Sequence, residues 1–91
     1  MKTINKYELE IATNQTIKMP YDPEILYLGI QNEKICLWVL VDTEHKTENI
    51  NIEIHGTGDP IKSEIDIDNH LGTVQFNKVV LHVFESNYFN E

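Results

Sequence analysis

Apolar residues in this chain recur mostly at every second position. Tyr7, Leu9 and Ile11 alternate with Glu8 and Glu10, and Ile17 and Met19 alternate with Thr16 and Lys18. A period of two is the mark of a strand with one covered face. With "ATN" between the two runs and Pro20 and Pro23 after them, a first hairpin over residues 4–19 is expected. "EILYLGIQ" and "KICLWVLVD" flank Asn32 and Glu33 and predict a second hairpin, although Asn-Glu is a weaker turn signal than Asn-Gly. "DTEHKTE" reads as a polar loop. "NINIEIH" places Ile50, Ile52 and Ile54 on one face, with Asn49, Asn51, Glu53 and His55 on the other. "KSEIDIDNH" reads as irregular. "LGTVQF" and "VVLHVFE", joined by "NK", predict the last two strands. The tail "SNYFNE", with Tyr88 and Phe89, is expected to fray or to pack on a neighbour.

No long segment of helical period occurs, and no repeat. Six to seven short strands with frequent turns predict an all-β, mainly antiparallel fold, a small β-sandwich or barrel with little helix, in one domain over residues 1–91. One segment strains that picture. In "ICLWVLV", Ile35, Leu37, Val39 and Val41 point one way and Cys36, Trp38 and Leu40 the other, so both faces are apolar. "VVLHVF" is similar. Both faces need cover, from a second layer, barrel closure or another subunit, and a homo-oligomer is the expectation.

Composition narrows the chemistry. Fifteen Asp and Glu against seven Lys and Arg give a net charge of −8, which makes duplex nucleic acid a poor partner. The longest apolar run, Ile35 to Val41, is far too short to span a membrane, and charges run through the first ten residues where a leader would be apolar. A soluble cytoplasmic protein is expected. The lone Cys36 forms no internal disulfide and fits a buried thiol in a reducing compartment. His45, His55, His70 and His82 lack metal-ligand spacing, no serine is flanked for activation, and no cofactor motif is present. A non-enzymatic protein is expected.

The stretch "IHGTGDPI", Ile54 to Ile61, is the candidate binding element. It matches neither nucleotide-binding glycine motif, since the lysine, the spacing and a following helix are missing. Two readings stand. Gly56 and Gly58 supply positive φ and Pro60 restricts Asp59 to extended geometry, or successive amides form an anion nest. In the second, Gly56, Thr57 and Gly58 would meet phosphate, His55, His70 or Lys62 would add charge, and Trp38 or Tyr27 would stack on a base.

"KYELEI", "IKMP", "ILYLGIQNEKICLWVLVD", "IHGTGDPI", "HLGTVQ" and "LHVFE" occur in an order that resembles a family of small, uncharacterised bacteriophage and prophage proteins, a domain of unknown function. The resemblance covers roughly residues 2–85, and Val39 stands where a small residue is usual. It implies a viral setting and no chemistry. It also implies an accessory role, such as an oligomeric counter-defence protein that sequesters a nucleotide-derived signal. Occluding a host protein, or serving as a minor virion component, are the alternatives.

Overall fold

The computed structural model describes residues 1–86, so the expectation for Tyr88 and Phe89 lies outside the described residues. Seven strands follow in order: β1 Lys2–Leu9, β2 Asn14–Pro20, β3 Glu24–Gln31, β4 Lys34–Asp42, β5 Thr47–Gly56, β6 His70–Phe76 and β7 Val79–Ser86. The one helical element is a 3₁₀ turn, Ile67–Asn69, capped by the Asp66 carboxylate on the Asp68 N–H. The strands form a three-stranded sheet, β1-β4-β3, and a four-stranded sheet, β2-β5-β7-β6, antiparallel throughout. Of the two architectures expected, this is the sandwich.

The two late hairpins form where the sequence puts them. Asn32 and Glu33 both adopt positive φ, 53° and 63°, which matches the twist of the flanking strands and lets Gln31 pair with Lys34. Asn77, with φ of 55°, turns β6 into β7. The expected hairpin over residues 4–19 does not form. β1 pairs with β4, from Lys2↔Asp42 to Leu9↔Ile35, and β2 pairs with β5. Residues 10–13 instead carry the chain from one sheet to the other, held by the Gln15 amide on both backbone groups of Glu10. Ile11 falls beyond the end of β1 and is exposed. Two alternating runs can each bury a face while lying in opposite layers, so the pattern is the same for either arrangement.

The core lies between the sheets. Ile35, Leu37, Val39 and Val41 of β4 meet Ile50, Ile52 and Ile54 of β5, with Leu81 and Val83 of β7. On one side the sandwich is drawn shut where Leu28 of β3 lies against Gly72 of β6; a Cβ there would sit 2.9 Å from Leu28 Cδ2.

The outer face of β4 is covered only in part. Cys36 is fully buried, its thiol donating to the Lys34 carbonyl at 3.5 Å. Lys6 reaches from β1 across β4, and its ammonium donates to Gln31 Oε1 on β3 at 2.7 Å. The Tyr27 ring folds over Gly29, where no Cβ would fit, and lies 5.7 Å from Trp38. Trp38 and Leu40 remain half-buried, and Ile4, Leu26 and Tyr27 are each more than half exposed.

Candidate functional site

The outer face of the four-stranded sheet carries two connected sets of polar side chains. Cross-strand register sets them side by side: Glu53 opposite Phe84, His55 opposite His82, Thr73 opposite His82, His70 opposite Phe84. Residues 57–69, between β5 and β6, run over this face as a strap.

Beneath the strap, Glu53 and His55 are buried, although alternation alone puts them on the solvent side. Glu53 Oε1 accepts from Ser63 Oγ on the strap at 2.6 Å and lies 2.9 Å from His55 Nε2. Burial pushes the Glu53 carboxyl up. Hydrogen bonds from Ser63, His55 and Ser86 outweigh that, and it stays below its ordinary value. The carboxylate is the hub of this triad. Ser63 donates to the Glu53 carboxylate and not to the imidazole, so the serine–imidazole–carboxylate order of a hydrolytic triad is not the one formed here. Ser63 is the strap's anchor.

A second array lies alongside. Thr57 Oγ1 is 2.7 Å from His82 Nε2, His82 Nδ1 is 3.0 Å from Thr73 Oγ1, and Thr73 Oγ1 is 3.1 Å from His70 Nε2. The His70 ring stands 5.0 Å from Phe84. Each hydroxyl and each neutral imidazole can both donate and accept, so the whole row can run its hydrogen bonds in either direction.

The glycine loop is a turn in which the Gly56, Thr57 and Asp59 amides have partners within the chain. Gly56 N–H donates to Asp59 Oδ2 at 3.2 Å, Thr57 N–H to the Val80 carbonyl at 3.2 Å, and Asp59 N–H to the Gly56 carbonyl at 3.1 Å. Gly58 supplies the positive φ, 90°, whereas Gly56, the last residue of β5, does not take the positive φ expected of it. The Asp59 carboxylate thus takes the place at Gly56 that an anion would occupy. Lys62 lies farther along the strap, in an open pocket of about 720 Å³ with Asn14, His55 and Glu64. On the other side of Glu53 a pocket of about 640 Å³ is lined by Glu64, Asp66, Phe84 and Glu85. Burial, and then the Glu48 charge, push the Glu85 carboxyl above its ordinary value.

Of the residues singled out from the sequence, His55, Gly56, Thr57, Gly58, Lys62 and His70 share the outer face of the four-stranded sheet or its strap. Trp38 and Tyr27 do not. They lie on the outer face of the other sheet, across the sandwich, so they cannot stack on a ligand held by the glycine loop. Glu53, Ser63 and Thr73 were not singled out. Glu53 was legible only as one polar residue among several in β5, because its burial depends on the irregular strap. Among the described residues, no three His, Cys, Asp or Glu side chains are arranged to hold a metal ion, and no helix is long and apolar enough to cross a membrane.

The chain belongs to a family described as a domain of unknown function (DUF7352), whose profile matches residues 1–91. No curated protein and no solved structure matches it.

Proposed function

We propose that the chain is a non-enzymatic binding protein that captures a protein partner on the outer face of its three-stranded sheet. One observation carries this reading: Ile4, Leu26 and Tyr27 stand open beside half-buried Trp38 and Leu40. Scattered exposed hydrophobic residues are ordinary, but a contiguous patch with two aromatic anchors has the composition of an interface centre. The Glu53–His55–Ser63 cluster supports the non-enzymatic part, since its hydrogen bonds anchor the strap and do not follow the serine–imidazole–carboxylate order of a hydrolytic triad. Self-association belongs to the same reading. The viral setting implied by the resemblance makes a host protein the partner, counter-defence the role and the host cytoplasm the place.

The test is affinity capture from a host lysate with the wild-type chain and with Leu26→Glu and Tyr27→Ala. A stoichiometric partner that survives moderate salt and is lost with either variant is expected. No partner, or one the variants keep, refutes the reading.

A second reading has an observation of its own. The Thr57–His82–Thr73–His70 row brings two residues of the expected nucleotide site together with two more polar side chains. A small nucleotide-derived ligand would meet its phosphate or ribose groups there, with Phe84 alongside. The occupied loop amides and the net charge of −8 weigh against it. A thermal shift with cyclic nucleotides or ADP-ribose derivatives, lost in His82→Ala, would favour it.

A further inference from the structure

We infer that β1 pairs antiparallel with β1 of a second copy about a two-fold axis at Asn5, joining two three-stranded sheets into one. This rests on the self-association in the reading above and gives it a surface.

Among the described residues the two sheets have four edge strands, β1 and β3 in one and β2 and β6 in the other. An edge strand offers unpaired N–H and C=O groups, and proteins that must avoid pairing blunt it with bulges, prolines, lysines or cover. Three edges are treated in this way. β3 is bulged between Ile25 and Tyr27, and β6 between His70 and Gly72; these two edges also pack against each other. β2 carries Lys18 and ends in Pro20, which has no N–H to give. β1 is different. Its register against β4 runs unbroken through all eight residues, with no proline and no bulge. Its central lysine does not guard the edge either, because Lys6 is drawn inward across β4 to Gln31.

Charge then selects the partner and the register. The outward residues of β1 are Lys2, Ile4, Lys6 and Glu8, all exposed. Antiparallel pairing about Asn5 sets Lys2 opposite Glu8 and Ile4 opposite the aliphatic stem of Lys6, each twice by symmetry. A slip of the pairing to either neighbouring even register fails. One puts Ile4 opposite Glu8 and the other leaves Glu8 with no residue opposite it, so neither keeps the Lys2–Glu8 pairs. An odd slip sets the core face against the solvent face. The strand is therefore complementary to itself in one register, which commits the occupant to a second copy of this chain. The pairing would also place the two apolar outer faces side by side on one surface, so that capture of a partner becomes bivalent.

The test is sedimentation equilibrium on the full chain across a concentration series. Wild type should dimerise. Glu8→Lys replaces two attractive cross-strand pairs with two repulsive ones and should weaken association at least about fivefold. Lys2→Glu combined with Glu8→Lys swaps the charges and should restore it. Both positions are exposed, so the variants keep the fold, and far-ultraviolet circular dichroism checks this. A dimer indifferent to Glu8→Lys overturns the β1 pairing while leaving self-association standing. A chain monomeric up to its solubility limit overturns both. Neither outcome touches partner capture, which the Leu26 and Tyr27 variants test separately.

Discussion

Replacing Glu53 with alanine removes the acceptor on which the strap and the buried His55 converge. Ser63 Oγ and His55 Nε2 approach Glu53 Oε1 at 2.6 and 2.9 Å, in a setting where Glu53 is 3% and His55 7% exposed. A hydrogen bond to a charged group contributes about 1.5–3 kcal/mol, and a buried donor left without a partner costs about 1–3 kcal/mol. Ser63 can turn toward water once freed, while His55 cannot, so the summed loss is about 2–4 kcal/mol. For a domain of this size that lowers Tm by roughly 10–25 °C, read by circular dichroism at neutral pH. Glu53→Gln keeps one acceptor oxygen and should cost about half as much. The pH dependence has a definite sign. The folded carboxyl lies below its ordinary value of 4.5. Its contribution is complete above that value and is lost as pH falls through the lower, folded one. The gap between wild type and Glu53→Gln should therefore narrow as pH falls below 4.5. An alanine variant within about 0.5 kcal/mol of wild type, or a glutamine gap unchanged in acid, would refute the reasoning.

Three further perturbations test other parts of the fold. Glu33→Gly relieves a left-handed conformation in the β3–β4 turn and should raise stability by up to about 1 kcal/mol in urea titration. Gly72→Ala drives a Cβ into Leu28 and should cost about 1–3 kcal/mol by the same measurement. Glu85→Gln removes a carboxylate whose charge burial and Glu48 oppose. It should raise Tm by a few degrees at neutral pH, and the gain should vanish in acid once Glu85 itself is protonated.

How much of this was legible in the sequence depended on whether the deciding contact was local. The strands, the Asn32–Glu33 and Asn77–Lys78 turns, and the inward set Ile50, Ile52, Ile54 follow from neighbours within a few residues. The partner of β1 does not. Tyr7 and Leu9 satisfy the core equally well beside β2 or beside β4, and only the assembled sandwich decides. The same limit hid Glu53. It alternates as a solvent-facing residue, and it is buried because a distant, irregular segment happens to lie over it. Trp38 shows a different limit: alternation sets it opposite Ile35, Leu37, Val39 and Val41, but does not say that the face it occupies belongs to the sheet away from the glycine loop.

The pairing of β1 with β4 also sets how the chain can fold. The β3–β4 and β6–β7 hairpins close over two-residue turns and can form in microseconds. β1 has no such neighbour. Lys2 meets Asp42 and Leu9 meets Ile35 only after β2, β3 and the hairpin turn have been threaded between them. β2 must likewise wait for β5. Closing those long loops costs entropy before any contact repays it, which places assembly in the millisecond-to-second range typical of sandwiches. The first of these strands in chain order is thus among the last to be seated. Until then β4, apolar on both faces, has one side without a partner, and the nascent chain is most exposed to aggregation in that interval.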